Sequence, residues 1–216
     1  MNIFTIGDII GTPITDITNM CQALTSDYDE SHNLDHHKAV FNDAINIATH
    51  FEPSEEMTNS PFYRDLIIMV TYASLLHDTI DHKYPDNLEY KRKELFCFIF
   101  NNTGILARDI IWIIENISYS KEVKNGYPFH DKLIVQLARD VVSDADKLQA
   151  IGKVGLERCR IYEKSINPNG SAEDHEKKVK AHCEEKLLHL HKYIRTFYGS
   201  VKALELTEEL KEELAK

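Results

Sequence analysis

Apolar residues recur along this chain every three or four positions, the spacing that brings side chains to one face of an α-helix. In the segment HNLDHHKAVFNDAINIATHF, residues 32–51, such a stripe is formed by Val40, Ala44, Ile47 and Phe51. Patterns that alternate between apolar and polar residues, which are typical of β-strands, are absent. The sequence therefore predicts an all-α fold.

The same periodicity predicts further helices over residues 15–24, 66–76, 87–101, 106–117, 133–142 and 173–197, with a charged helix at the C-terminus. Prolines, glycines and an Asn-Gly pair indicate loops at 52–61, 119–131 and 165–171. Gly104 and Gly199 are expected to end helices. Without repeats or low-complexity segments, we expect one domain: a helical extension over 1–25, the main domain over 26–200 and a charged helix over 201–216.

Composition narrows the class of protein. The net charge of −10 argues against a protein that holds nucleic acid through its phosphates. No apolar run approaches the roughly 20 residues that span a bilayer, and the N-terminus makes a poor signal peptide. Four scattered cysteines are expected to be reduced thiols. These features predict a soluble cytoplasmic protein that associates with neither nucleic acid nor membranes.

Polar residues stand at unusual places in the predicted helices. An apolar run from Leu66 to Leu76 leads directly into His77 and Asp78. A buried carboxylate must be paired, hydrogen-bonded or bound to a metal, and imidazole is the commonest metal ligand. An ordinary His-Asp pair at a helix terminus would look the same. His36 extends the apolar stripe of its helix backwards and is expected to face the interior.

A third acidic cluster, Asp144-Ala145-Asp146, lies in another apolar helical segment. Two imidazoles with two carboxylates suit a divalent transition metal that keeps positions open for water and phosphate oxygens. Periodicity places Asp144, rather than Asp146, on the apolar stripe with Leu148 and Ile151. The residues alone leave open which of the two carboxylates would be the ligand.

Three segments, HHKAV, LLHDTIDHKY and SDADKLQAIG, resemble the HD-domain metal-dependent phosphohydrolase superfamily. The segments at 113–120 (IIENISYS), 144–159 (DADKLQAIGKVGLERC) and 182–190 (HCEEKLLHL) are similar to a bacterial subgroup of manganese-dependent nucleoside triphosphate pyrophosphohydrolases. The resemblance covers roughly residues 28–200. It implies an HD-domain helical bundle and a metal held by His36, His77, Asp78 and Asp146, with Asp144 supporting a ligating imidazole.

The resemblance also implies roles around the metal. Asp81 would act as the general base, and the nearest phosphate donors would be Lys83 and Lys147. The predicted substrate contacts are His32, Lys147, His182 and Lys186. Each basic residue has a simpler interpretation as a surface charge. The expected metal is Mn²⁺, with Co²⁺, Ni²⁺, Mg²⁺, Fe²⁺ or Zn²⁺ as alternatives.

The implied reaction is hydrolysis of a nucleoside triphosphate to a monophosphate and pyrophosphate. The same metal site would also serve a phosphomonoesterase or a cyclic-nucleotide phosphodiesterase. A different hypothesis is an HD-fold module that binds a nucleotide without hydrolysing it. The expected partner is a small nucleotide or phosphate ester, and whether the protein forms a homodimer is left open.

Overall fold

A computed structural model describes residues 3–26, 28, 33–50, 60–80 and 86–216 of the chain. All regular elements in these ranges are helical, which confirms the predicted all-α class. The α-helices are α1 (Ile3–Ile10), α2 (Ile14–Leu24), α3 (Leu34–Thr49), α4 (Pro61–Leu76), α5 (Leu88–Thr103), α6 (Ala107–Asn116), α7 (Tyr119–Asn125), α8 (Leu133–Leu148), α9 (Gly152–Ile166), α10 (Ala172–Glu185) and α11 (Phe197–Leu214). Two 3₁₀-helices span Gly104–Leu106 and Leu187–Tyr193.

Helix α4 is the centre of the fold. Its start is well defined, because the Ser60 side chain accepts a hydrogen bond from the Tyr63 N–H and Pro61 occupies the first turn. Every residue from Leu66 to His77 is buried. A helix without a polar face needs neighbours on all sides, and α1, α2, α3, α6 and α8 pack around it. This packing fixes the point at which His77 and Asp78 leave the helix.

Helices α3, α4 and α8 pack against one another and bring three distant sequence segments together. Helix α3 begins at a cap in which the Asn33 side chain accepts hydrogen bonds from the N–H groups of Asp35 and His36. His36 therefore lies in the first turn of α3, while His77 and Asp146 lie at the ends of α4 and α8. These three helix ends form one corner of the bundle.

Residues 88–116 form a helical stretch that is interrupted at Gly104, where φ is +59°. By length and composition alone, the stretch Leu88–Asn116 could cross a membrane, which the sequence analysis did not anticipate. Core helices of soluble proteins have the same property. Here α6 packs against α4 and α8, and Ile110 and Ile113 are fully buried.

The C-terminal third differs from the predicted pattern. The predicted helix over 173–197 is wrong, because α10 ends at Glu185 and a 3₁₀-helix follows before α11 begins at Phe197. Gly199 is not a stop but lies in the first turn of α11. There its N–H donates to the Thr196 hydroxyl at 3.2 Å, and an added Cβ would lie 2.6 Å from that oxygen. The predicted loop at 119–131 begins with the short helix α7.

Asp144 anchors the start of α11 to α8. Its carboxylate accepts hydrogen bonds from the backbone N–H groups of Arg195, at 3.0 Å, and Thr196, at 2.7 Å. Burial raises the pKa of Asp144 to about 6, so the group is ionised at pH 7. Helix α11 also buries Ala203 and Leu210, and it therefore forms part of the packed core.

A buried ionic network joins α7, α8 and the segment before α11. Glu122 accepts hydrogen bonds from Arg139, at 2.8 Å, and Arg195, at 2.5 Å, and the Lys147 ammonium lies 3.6 Å away. Burial alone would raise the pKa of Glu122, but the two guanidinium hydrogen bonds outweigh it and lower the pKa. The carboxylate thus stays ionised and holds three parts of the chain together.

Replacing Asp144 should test this anchor. Asp144→Ala leaves the N–H groups of Arg195 and Thr196 without their acceptor, so we expect the free energy of unfolding at pH 7.5 to fall by about 3 kcal/mol. Urea titration followed by circular dichroism measures the change. Asp131→Ala is the control, because the Asp131 side chain is 89% exposed. Equal stability of the two variants would contradict the anchor.

Candidate metal site

Four side chains from three segments converge at the corner formed by α3, α4 and α8. The Nε2 atoms of His36 and His77 lie 3.1 Å apart. Asp78 Oδ2 lies 3.6 Å from His36 Nε2 and 3.2 Å from His77 Nε2. Asp146 Oδ1 lies 3.5 Å and 3.7 Å from the same two nitrogens. The structure thus brings together the four residues predicted as metal ligands.

The orientation of His77 is set by its own helix. Its Nδ1 lies 2.8 Å from the carbonyl oxygen of Ser74. Because a carbonyl only accepts, Nδ1 carries the hydrogen in this contact. In the neutral imidazole, the lone pair of Nε2 therefore points into the cluster.

The two kinds of ligand differ in their access to solvent. The side chains of His36 and His77 are 3% and 0% exposed, whereas those of Asp78 and Asp146 are 20% and 29% exposed. The imidazoles form the closed back of the site. The carboxylates face outwards.

Electrostatics favour a cation at this position. Burial lowers the pKa of His77, but the charges of Asp78 and Asp146 outweigh it and raise the pKa to about 9. Burial raises the pKa of the Asp78 and Asp146 carboxyl groups. The adjacent histidines outweigh this effect and lower both pKa values below the ordinary range. Two ionised carboxylates therefore share one small, largely buried volume.

These residues fit a divalent metal ion. One ligand atom each from His36, His77 and Asp78 lies within 4.8 Å of the others, and the Asp146 contacts add a second carboxylate. Two lone-pair nitrogens at 3.1 Å repel each other unless a proton or a cation lies between them. Mixed imidazole and carboxylate donors are those expected for divalent first-row metals.

The carboxylates open into a cleft of about 840 Å³. Apolar residues of its wall include Ile80, Leu88, Ile114 and Ile117, and its basic residues are Arg92, Lys121, Arg158 and Lys186. Arg92 is engaged by Glu115 at 2.6 Å. Arg158 donates to the Gln149 carbonyl at 3.3 Å, and the Lys186 ammonium lies 5.2 Å from the centre of the Tyr119 ring. Glu89 and Glu115 also line the cleft, so its wall carries basic, acidic and apolar side chains.

Of the predicted substrate contacts that the structure describes, some line the cleft and others do not. Lys186 lines the cleft, whereas His182 is an exposed residue in the last turn of α10 and does not line it. Lys147 is only 2% exposed, and its ammonium donates to the Ser143 hydroxyl. This burial contradicts the expectation that Lys147 contacts a substrate.

Asp144 also has a different role from the predicted one. Its oxygens accept from the backbone before α11, so the expectation that it orients a ligating imidazole is wrong. Of the two candidate carboxylates on α8, it is Asp146 that reaches the cluster. His32, Asp81 and Lys83 lie outside the described residues, and their roles remain predictions.

Sequence reasoning missed Arg158, Lys121 and Tyr119 as cleft residues. The segments 113–120 and 144–159 contribute to the resemblance, but nothing in their periodicity shows that they face the same cavity. Arg158 looks like an ordinary charged residue of an amphipathic helix. Only the packing of α9 near the metal corner reveals its position.

The raised pKa of His77 makes metal binding pH-dependent. Below pH 9 the imidazole is protonated and must lose a proton before it can bind a metal, so affinity should rise with pH. We expect the association constant for Mn²⁺ to increase by about tenfold per unit between pH 6 and 8. Calorimetry in two buffers of different ionisation enthalpy measures the released proton. An association constant that does not change with pH would contradict the protonated state.

No protein-family model matches the chain. Two curated relatives match part of it. Protein L803 of Acanthamoeba polyphaga mimivirus is 26% identical over 173 residues, which is 72% of this chain. Protein YpgQ of Bacillus subtilis is 33% identical over 134 residues, or 61% of this chain. The matches span 65% and 62% of the lengths of these relatives, slightly less than two thirds.

Solved structures match nearly the whole chain. YpgQ of Bacillus subtilis, in complex with ADP, is 24% identical, with 94% of both chains covered and a TM-score of 0.66. An HD-superfamily hydrolase from Bacillus thuringiensis is 18% identical, with 94% of this chain and 93% of that chain covered and a TM-score of 0.62. The helical corner that carries His36, His77, Asp78 and Asp146 thus lies in a known architecture. The chain has the fold of the HD superfamily, as its motifs predicted.

Proposed function

We propose that this protein is a divalent-metal-dependent phosphohydrolase that cleaves nucleoside or deoxynucleoside triphosphates to a monophosphate and pyrophosphate. One observation carries the proposal: two imidazoles and two carboxylates converge at the inner end of a cleft with basic side chains. The HD-superfamily hydrolase fold supports the reaction class. The closer resemblance to triphosphate pyrophosphohydrolases suggests the bond that is cleaved.

In this reaction, different residues would bind the metal, bind the phosphate chain and accept a proton. His36, His77, Asp78 and Asp146 would hold the metal, for which Mn²⁺ is our choice. When bound, such an ion polarises phosphate oxygens and lowers the pKa of water. Arg158 and Lys186, which line the same cleft, would donate to the phosphate chain. Asp81, on the resemblance, would accept the proton of the attacking water, with Lys83 near the phosphates.

The cleft favours a nucleotide over inorganic phosphate. Its volume of about 840 Å³ lies within the range of small-molecule sites. The apolar residues Leu88, Ile114 and Ile117 offer a surface for a base or sugar. YpgQ, with a similar fold, binds ADP, which supports a nucleotide here. We place the activity in the cytosol, acting on free nucleotides rather than on nucleic acid or at a membrane.

The products of hydrolysis test the proposal. The protein is incubated with Mn²⁺ and a panel of NTPs and dNTPs, and the phosphate products are resolved by ³¹P NMR. We expect pyrophosphate and a monophosphate in equal amounts. Release of orthophosphate alone would contradict the proposed bond cleavage, whereas no turnover with any of these triphosphates would contradict a triphosphate hydrolase.

Two variants separate metal binding from turnover in that assay. Asp78→Ala should lose both Mn²⁺ and activity, because it removes a ligand oxygen. Asp81→Asn should retain Mn²⁺ and lose activity, because an amide cannot accept the proton. Asp131→Asn, on an exposed side chain, is the matched control and should change neither. Full activity of Asp81→Asn would show that another group is the base.

Removing a basic cleft residue should weaken recognition of the phosphate chain. A hydrogen bond between charged groups contributes about 1.5–3 kcal/mol, so Arg158→Ala or Lys186→Ala should lower kcat/KM by about tenfold to a hundredfold. Lys180→Ala, an exposed residue on α10, is the control. Steady-state kinetics at several triphosphate concentrations measure the effect. An unchanged kcat/KM in both variants would remove these residues from the proposed site.

A further inference from the structure

One continuous segment, residues 114–121, lines the cleft that opens from the metal cluster. The segment contains the end of α6 at Asn116 and the start of α7 at Tyr119. The last carbonyl groups of an α-helix lack partners within the helix. The position of the 114–121 segment therefore depends on which other groups bind the carbonyls at this junction.

Two side chains of α8 bind these carbonyls. The Arg139 Nε donates to the Asn116 carbonyl at 2.8 Å, and the Ser143 hydroxyl donates to the Ile117 carbonyl at 2.9 Å. Arg139 and Ser143 are four residues apart on α8, so they share one face of the helix. Both are fully buried. Helix α8 thus holds the junction at two consecutive carbonyl groups.

Both donors are themselves held by charged groups. A second nitrogen of the Arg139 guanidinium donates to the Glu122 carboxylate of α7 at 2.8 Å. The Lys147 ammonium donates to the Ser143 oxygen, which leaves the hydroxyl hydrogen for the carbonyl of the junction. Neither side chain can turn away without breaking a buried polar contact. The junction is therefore fixed relative to α8.

The same helix carries a carboxylate of the metal cluster. Asp146 follows Ser143 by three residues, less than one helical turn. Its Oδ1 lies 3.5 Å from the His36 Nε2, and the residue also lines the cleft. Helix α8 therefore sets the position of the 114–121 segment relative to the metal cluster, where the phosphates would bind.

Most side chains of the 114–121 segment are uncharged, and its two charged ones are engaged. The Glu115 carboxylate accepts from Arg92 at 2.6 Å, and the Lys121 ammonium donates to the Glu115 carbonyl at 3.0 Å. The other members are apolar, aromatic or neutral polar: Ile114, Asn116, Ile117, Ser118, Tyr119 and Ser120. Such groups suit the ring and the polar atoms of a nucleoside better than a triphosphate.

We propose that the 114–121 segment receives the nucleoside part of the substrate, and that Arg139 and Ser143 are positioning residues that hold this segment at the right place relative to Asp146. The inference rests on the proposed function and adds the part of the cleft that recognises the nucleoside. A surface that is already held in one position loses little freedom when a ligand binds, so the two donors should strengthen binding without touching the ligand.

Two kinds of ligand separate the nucleoside from the phosphates. The α,β-methylene analogues of ATP, GTP, CTP and UTP resist cleavage at the proposed bond, and inorganic triphosphate has no nucleoside. Calorimetry with Mn²⁺ present measures both. In Ser143→Ala, which removes the donor to Ile117, we expect the Kd of the methylene analogues to rise about tenfold. The Kd values of inorganic triphosphate and of Mn²⁺ should not change.

Two further variants make the comparison specific. Thr207→Val is the matched control, because the buried Thr207 hydroxyl donates to the Ala203 carbonyl at 2.6 Å within α11 and does not line the cleft. It should change neither Kd. Ser143→Thr retains a hydroxyl and should bind the analogues as the unaltered protein does. An unchanged Kd for the analogues in Ser143→Ala, or an equal rise for the analogues and inorganic triphosphate, would overturn the positioning role.

Hydrogen exchange in the unaltered protein tests the nucleoside site without a variant. The methylene analogues should slow amide exchange in peptides that cover residues 114–121 more than inorganic triphosphate does. Equal protection by the two kinds of ligand would overturn the placement of the nucleoside. Failure of hydrolysis with this binding pattern intact would contradict the proposed function alone, and the nucleoside site would stand.

Discussion

The main physical constraint on the structure is the concentration of charge at the end of its most buried helix. Two carboxylates and two imidazoles lie within a few ångströms of one another, at the meeting point of α3, α4 and α8. Ionised groups in such a place are costly unless they are compensated. The cluster is therefore most stable with a cation at its centre, and the three-helix core positions the cluster with little freedom to relax.

The buried ionic network around Glu122 lies on the interior side of this corner. Lys147, the neighbour of Asp146, turns away from the cleft towards Ser143 and Glu122. Glu122 in turn holds Arg139 and Arg195. The C-terminal part of α8 thus presents one charged side chain to the cleft and the next to the interior. Adjacent residues of one motif therefore have different surroundings: Asp146 faces the cluster of histidines and carboxylates, and Lys147 faces the interior.

The sequence predicted the central helices better than the C-terminal part of the chain. Strong periodicity and the run into His77 and Asp78 identified the central helices, because a helix buried on all sides leaves a clear pattern. The break after Glu185 had no such signal. The start of α11 was equally hidden, because it is set by a tertiary contact in which Asp144 accepts hydrogen bonds from the backbone of Arg195 and Thr196, about fifty residues along the chain. The roles of Asp144 and Lys147 were mispredicted for a similar reason, because tertiary packing decides which side chains of a motif face the interior and which face the cleft.

The placement of the metal corner at the end of α4 also determines how the site responds to thermal motion. Amide protons in the fully buried part of α4, residues 66–77, should be among the last to exchange with solvent, because only global unfolding exposes them. Arg158 of α9 and Lys186, which follows α10, line the cleft from helices outside this central core. The metal cluster therefore rests on the part of the chain that should be most protected from exchange.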